Sequence, residues 1–212
     1  MNNFVKNLTI EERKLFITLN TPVKIQDFLE TLKINWSDDT CYSPRMVLKR
    51  KTAQCFEGAV FAAACLYMHG KPPLLLDLDT TDDDGDSPHV IALFKKNGRW
   101  GGISKTNHAV LRYREPVYKT VRELTMSYFH EYFLNNNGKK TLRSYSRIFD
   151  LRRYKPEHWL LSDKPLSDIM EALANSRHYP IAPKSAWKTL RPADQIERKA
   201  GRLTEWINSS KK

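Results

Sequence analysis

The sequence contains few cysteines and no long apolar run, and each shortage excludes a class of protein. Three cysteines in 212 residues are too few, and odd in number, for the disulfide framework of a small secreted protein. They show neither a CxxC pair nor the Cys/His spacing of zinc sites. No segment approaches the roughly 18 consecutive apolar residues of a membrane helix, and the N-terminus lacks the apolar core of a signal peptide. We therefore expect a reduced, cytoplasmic protein with no membrane insertion.

The remaining composition is that of a globular chain, with 41% hydrophobic and 28% charged residues. This length suits one domain with a substantial core. We predict a single domain over residues 1–183, with its core at about 43–134. Residues 184–212 are predicted to form a basic, helical C-terminal appendage.

The net charge of +11 comes from two segments. Residues 139–155 carry seven Lys or Arg and one Asp, and residues 184–212 carry eight Lys or Arg and three acids. Two interpretations stay open: a solvated basic surface, or a contact with nucleic acid or another polyanion. No known nucleic-acid motif accompanies the charge, and Tyr145 and Tyr154 do not form an evident stacking platform.

Local signals predict an α+β order of elements. Thr9 with Glu12 forms a capping-box pattern, and Thr21-Pro22 and Ser43-Pro44 mark two more helix starts. Apolar runs at 73–78 and 89–94 are typical of buried strands, and Asn97-Gly98 predicts a hairpin that returns over 99–104. Further helices are predicted over 115–134, 165–174 and about 192–208.

Residues 52–70 are predicted to form a central helix, because their many small side chains allow close approach of neighbouring elements. Thr52 is a plausible N-cap, which places Cys55 in the first turn. The unpaired backbone N–H groups and the helix dipole there stabilise a thiolate. The alternative is that Cys55 is simply a small buried residue, as we expect for Cys41 and Cys65.

A nucleophilic cysteine needs a base, and six histidines are available. His89 is the best placed, at the start of the strand that follows the cysteine helix. His69 is excluded because it lies roughly 21 Å from Cys55 along the helix axis. His130 falls inside a predicted amphipathic helix, and His108 is the nearest competitor.

The order of these features resembles the core of the transglutaminase-like superfamily, part of the papain-like group of cysteine enzymes. The resemblance covers roughly residues 43–105: Cys55-Phe56 heading an Ala-rich helix, a Gly-Lys-Pro-Pro stop, an apolar strand, His89-Val-Ile-Ala-Leu-Phe, Asn-Gly-Arg-Trp100 and Ile103-Ser104. It implies an α+β fold in which the central Cys-bearing helix packs on an antiparallel sheet, flanked by N- and C-terminal helices.

The resemblance implies that Cys55 is the nucleophile and His89 the general base. The third position of the family pattern is Asp, and Ser104 stands there. A serine can accept a hydrogen bond from imidazole and fix its tautomer, but it supplies no negative charge. Asn107 is the other candidate for the orienting residue.

Three further residues are candidates for the site. The Gln54 side chain is a candidate oxyanion donor together with the Cys55 backbone N–H. Phe56 and Trp100 are candidate walls of the substrate pocket.

The acidic loop over residues 79–88 does not have the register of a calcium-binding loop. Asp82, Asp84 and Gly85 would require a carboxylate near residue 80 and a Glu at 91, where Thr80 and Ile91 stand. We therefore predict no metal and no cofactor.

The sequence leaves two functions open. The first is a thiol enzyme that attacks a peptide or amide bond, with hydrolysis favoured over transfer to an amine. The second is a catalytically inactive member of the same fold that binds nucleic acid or another polyanion through residues 139–155 and 184–212.

Overall fold

The protein is described by a computed structural model that covers residues 3–37, 40–81 and 86–206. These residues form an α+β fold of helices packed on an antiparallel sheet. The helices are α1 (Ile10–Thr18), α2 (Pro22–Thr31), α3 (Pro44–Arg50), α4 (Cys55–Met68), α5 (Val121–Met126), α6 (Pro156–Leu160), α7 (Ser167–Ala174) and α8 (Gln195–Gly201). None of these helices is both long and apolar enough to cross a membrane.

The strands are β1 (Lys33–Ile34), β2 (Thr52–Ala53), β3 (Leu74–Thr80), β4 (His89–Lys96), β5 (Arg99–Ile103), β6 (Arg114–Tyr118), β7 (Leu142–Ser146), β8 (Phe149–Asp150) and β9 (His178–Pro180). Among the described residues the main sheet has the order β6-β5-β4-β3-β7-β9, and β8 also pairs with β3. β1 and β2 form a separate parallel pair. The predicted β4–β5 hairpin is confirmed, and both Asn97 and Gly98 have positive φ, as a type I′ turn requires.

Helix α4 is the central element of the fold, as predicted. It is buried from Phe56 to Leu66, between α1, α2 and α3 on one side and the sheet on the other. Gly58 permits the closest approach, because a Cβ atom there would overlap the Cβ of Lys105. Lys105 is itself buried, and its ammonium donates to the backbone oxygen of Leu32, the C-cap of α2, at 2.6 Å.

Replacing Gly58 with alanine tests this close approach. Alanine normally stabilises a helix interior by about 1 kcal/mol relative to glycine. Here the added methyl group must displace Lys105, so we expect a loss of roughly 1–3 kcal/mol in the free energy of unfolding. Urea unfolding monitored by circular dichroism measures it. A stabilised Gly58→Ala variant would show that the space beside α4 is open.

Helix α4 begins later than predicted. Thr52 is not its N-cap, because Thr52–Ala53 pairs with Lys33–Ile34 as a strand and Gln54 is the N-cap. Cys55 is therefore the first residue of the helix.

The prediction of one long helix over residues 115–134 is wrong. β6 occupies its first part, followed by α5 and a 3₁₀ turn at Phe129–Glu131. Along β6 half-buried and exposed residues alternate, which is the period of a strand. Pairing with Trp100 and Gly102 of β5 supplies the hydrogen bonds that outweigh the helical pattern.

The C-terminal basic segment packs against the rest of the fold. The Ala193 N–H donates to Gly138 at 2.8 Å, and the Ala109 N–H donates to Leu203 at 2.9 Å. The predicted helix over 192–208 is shorter, α8, and Leu203 lies beyond its end and is 63% exposed. Residues 207 and 208 lie outside the described residues.

Candidate active site around Cys55 and His89

Cys55 lies at the first position of α4 and is half-buried, whereas Cys41 and Cys65 are buried. The backbone N–H groups of Val90 and Phe56 act on its sulfur. Val90 follows His89 on β4, so the start of the central helix and the start of this strand meet at the sulfur. The geometry brings the cysteine and the histidine segment together.

Glu57 fixes the first turn of α4. Its fully buried carboxylate accepts hydrogen bonds from the Gln54 N–H at 2.9 Å, the Tyr42 N–H at 2.9 Å and the Asn35 side-chain amide at 3.1 Å. The Thr40 hydroxyl is a further donor. One carboxylate thus ties the chain before α3 to the head of α4 and holds Cys55 in place.

His89 and Ser104 form a hydrogen bond that sets the histidine tautomer. The His89 Nε2 atom lies 2.7 Å from the Ser104 hydroxyl, and that hydroxyl donates to the Leu111 backbone oxygen at 2.6 Å. Because the hydroxyl has one proton, it must accept from Nε2–H of His89. Nδ1 is then the unprotonated nitrogen. This is the tautomer that can take a proton from a thiol.

Gln26 forms hydrogen bonds with both backbone groups of Ser104, and no local pattern in the sequence predicts this role. The Ser104 N–H donates to the Gln26 side-chain oxygen at 3.0 Å, and the Gln26 amide donates to the Ser104 backbone oxygen at 2.8 Å. Gln26 lies on α2 and is buried. Helix α2 therefore fixes the residue that orients His89.

Burial keeps Cys55 and His89 neutral. It raises the pKa of the Cys55 thiol above its usual value, although the Val90 and Phe56 N–H groups act in the opposite direction. It lowers the pKa of His89 to about 4, and the charge of His108 adds to this effect. The expected thiolate at the helix start is therefore not the resting form. Within the described residues no hydrogen bond joins the Cys55 sulfur to the imidazole.

This neutral state predicts a distinctive alkylation profile. The rate of Cys55 reaction with iodoacetamide follows the thiolate fraction, so it should rise about tenfold per pH unit from neutral pH to beyond 9.0. Peptide mapping by mass spectrometry identifies the labelled residue. Cys41 and Cys65 serve as internal controls, because both are buried and should stay unlabelled. A rate plateau at pH 6–7 would instead demonstrate a preformed thiolate.

Two buried polar residues lie near Cys55 and were not predicted as site residues from the sequence. The hydroxyl of Tyr132 and one carboxylate oxygen of Asp77 have no hydrogen-bond partner among the described residues. Burial raises the pKa of Tyr132, and the next largest contribution is the charge of Cys55. Asp77 also raises the Cys55 pKa, and its other oxygen lies 3.2 Å from His178 Nε2. For Asp77 the sequence does contain a signal, because a carboxylate stands inside the apolar run of β3. For Tyr132 it contains no such signal, because this residue lies in the segment that was predicted to be a helix.

A small cavity of about 90 Å³ adjoins this site and is lined by both Tyr132 and Leu111. His108, the competing histidine, lines it as well, and its Nδ1 lies 3.3 Å from the Gly201 backbone oxygen. Leu111 links the cavity to Ser104 through the hydrogen bond at its carbonyl. His108 thus lies beside the site, while His89 is bonded to Ser104.

The remaining predicted residues are placed differently. Ser104, not Asn107, is the partner of His89, and the Asn107 carbonyl instead accepts from the Glu205 N–H at 2.8 Å. Gln54 is half-buried immediately before Cys55.

The two candidate pocket walls do not lie together at the cysteine. Phe56 is 2% exposed and belongs to the core. Trp100 lines a cavity with Cys65, which is about 15 Å from Cys55 along the helix axis. Trp100 therefore lies towards the opposite end of α4.

The chain was compared with family models and with curated proteins. No family model matches the chain, and no curated protein matches it. The described residues also contain no group of three or more His, Cys, Asp or Glu side chains that could hold a metal ion. Asp82, Asp84 and Gly85 of the acidic loop lie outside the described residues.

Proposed function

We propose that this protein is a transglutaminase-like cysteine hydrolase that cleaves an amide or peptide bond through an acyl-enzyme at Cys55. The hydrogen-bond chain from His89 through Ser104 to Leu111 carries the proposal, because it leaves Nδ1 of His89 as a proton acceptor. The arrangement supports the family resemblance: a cysteine heads the central helix, a histidine heads a strand beside it, and the third residue follows the next strand.

The reaction follows from these residues. As the Cys55 sulfur attacks the substrate carbonyl carbon, His89 Nδ1 accepts the thiol proton and then delivers it to the departing amine. The Tyr132 hydroxyl, which has no hydrogen-bond partner among the described residues, donates to the oxyanion of the tetrahedral intermediate. Water then attacks the thioester carbonyl, with His89 again as base. The C–S bond breaks, the carboxylic acid is released, and His89 returns its proton to the Cys55 sulfur. An amine in place of water would give an acyl transfer.

In the free protein the thiol of Cys55 and the imidazole of His89 are both neutral, so the nucleophile is not activated until substrate binds. Catalytic hydrogen bonds are often long or misaligned in free enzymes and shorten in the substrate complex. Ser104 orients the imidazole but supplies no charge to stabilise imidazolium, unlike the Asp of the family pattern. A cytoplasmic location belongs to this proposal, because the catalytic thiol must stay reduced.

Acylation by p-nitrophenyl acetate tests the proposal. We expect a thioester on Cys55, detected by intact mass and peptide mapping, followed by hydrolysis and repeated release of nitrophenol. Cys55→Ala should form no thioester. A wild-type protein that is never acylated, or a thioester that never turns over, would overturn the hydrolase assignment.

Tyr132→Phe isolates the oxyanion donor. Loss of one such donor typically costs 10²- to 10³-fold in rate, so we expect thioester hydrolysis to slow by about that factor. Because the hydroxyl is buried and has no partner within the described part of the chain, its removal should leave the unfolding free energy unchanged or higher. The iodoacetamide rate should also stay unchanged, since alkylation forms no oxyanion. Equal hydrolysis rates for the variant and wild type would remove Tyr132 from the mechanism.

A second candidate function, polyanion binding, is favoured by a basic-aromatic patch that only the tertiary structure assembles (Arg143, Tyr145, Arg177, Tyr179 and Trp187). The guanidinium of Arg143 lies 4.6 Å from the Trp187 ring centre, and that of Arg177 lies 5.1 Å from the Tyr179 ring. The Tyr145 and Tyr179 rings are 5.7 Å apart. The patch joins both basic segments and combines cations with ring faces, as single-strand binding surfaces do.

Fluorescence anisotropy with a labelled oligo(dT) tests this second function. Binding should weaken steeply between low and physiological salt, survive Cys55→Ala, and fall at least tenfold in Trp187→Ala. The control is Lys119→Ala, which removes a charge from an exposed residue immediately after β6. No binding at low salt, or equal loss in the control, would exclude the patch as a nucleic-acid surface.

A further inference from the structure

The geometry points to a binding site for an amphipathic carboxylate, with an apolar chain and an anionic head, in a cavity at the C-terminal end of α4. The cavity has a volume of about 410 Å³, within the range of small-molecule sites. We call it the far cavity. It is formed where α2, α4 and the β4–β5 hairpin meet, and its lining includes Ile25, Cys65, Leu93, Phe94, Lys95 and Trp100.

The interior of the far cavity is apolar. Ile25, Cys65, Leu66, Leu93 and Phe94 line it from three different elements, and all five are buried. A chain of methylene groups placed there would move from water into contact with aliphatic and aromatic side chains. The transfer is favourable by about 25 cal/mol per Å² of apolar area buried. The body of the ligand is therefore expected to be hydrocarbon.

The rim of the far cavity is positively charged. Lys71, Lys95 and Lys96 line it and are exposed, and within the described part of the chain none of the three forms an ion pair with an acid. No Asp or Glu among the residues that the structure describes lines the cavity. The Lys95 ammonium lies 5.0 Å from the centre of the Trp100 ring, which holds one cation at the opening. Three cations without a carboxylate complement an anionic head.

The far cavity is separate from the candidate active site. Cys65 lies about 15 Å along α4 from Cys55, and the inference does not depend on the proposed hydrolysis. Trp100 lines this cavity, and not the substrate pocket at Cys55 that the sequence pattern predicted for it. A ligand there would instead change the environment of Trp100 beside Lys95.

Titration with laurate below its micelle concentration tests the inference, with tryptophan fluorescence and thermal unfolding as readouts. Dodecanol and dodecylamine have the same chain with a neutral and a cationic head. We expect laurate to bind at least tenfold more tightly than either. Trp100→Phe should abolish most of the fluorescence change while the thermal shift remains. Cys55→Ala should bind laurate as the wild type does.

Two double variants complete the test, and each of them reverses the charge of two lysines. Lys95→Glu/Lys96→Glu alters exposed residues, so the fold should persist, and laurate affinity should fall at least tenfold. Lys119→Glu/Lys188→Glu is the matched control, with the same charge change at exposed positions outside the lining, and should bind laurate normally. Equal affinity for the three head groups, equal loss in both double variants, or no binding of laurate would overturn the inference.

Discussion

Replacing Glu57 with alanine should lower the free energy of unfolding by about 3–5 kcal/mol, because it leaves several buried hydrogen-bond donors without their acceptor. The carboxylate is fully buried and accepts from Asn35, Thr40 and the Tyr42 and Gln54 N–H groups. Its loss leaves several donors unpaired, and each unsatisfied buried donor costs about 1–3 kcal/mol. Chemical denaturation measures the change.

A matched control separates this network from ordinary helix capping. Glu197 occupies the same N3 position of a capping box on α8, where it accepts from the Asp194 N–H at 2.7 Å, but it is far more exposed. Glu197→Ala should cost about 1 kcal/mol or less. Glu57→Gln, which keeps the shape and one acceptor, should be intermediate. If Glu57→Ala costs no more than Glu197→Ala, the network does not anchor the head of α4.

Replacing His89 with alanine should slow hydrolysis of the Cys55 thioester by 10²- to 10⁴-fold, the usual contribution of a positioned general base. The variant cannot deprotonate the attacking water, whereas the backbone around Cys55 is retained. Rates from single-turnover hydrolysis of the acylated protein measure this. His130→Ala is the control, since His130 is exposed and should be dispensable. An unchanged rate in His89→Ala would remove the histidine from the mechanism.

Ser104 is a positioning residue in this mechanism, and its variants carry a separate signature. Ser104→Ala removes the acceptor for Nε2–H, so part of the His89 population should adopt the other tautomer. We expect a rate loss of about tenfold, smaller than for His89→Ala, and ¹⁵N NMR shifts of both imidazole nitrogens. Ser104→Thr retains the hydroxyl and should restore the tautomer. A purely packing role would leave the imidazole shifts unchanged.

Much of the helical framework could be predicted from local chemistry. Thr9, Thr21 and Ser43 cap α1, α2 and α3 as their patterns indicate, since each side chain accepts from a backbone N–H three residues later. The β4–β5 hairpin and α7 follow from a two-residue turn and an apolar period. These signals involve neighbours within a few residues, so the sequence displays them directly.

The sequence by itself determined that a cysteine heads a small-residue central helix and that a histidine heads a strand after it. Only the tertiary structure decided that residues 114–118 pair with β5, that Gln26 holds Ser104, and that Tyr132 comes near Cys55. The same packing buries His89 and half-buries Cys55, and the resulting desolvation keeps both groups neutral, against the preference of the helix start for a thiolate. Partner choice and desolvation depend on residues far apart in the chain, which a local pattern does not contain.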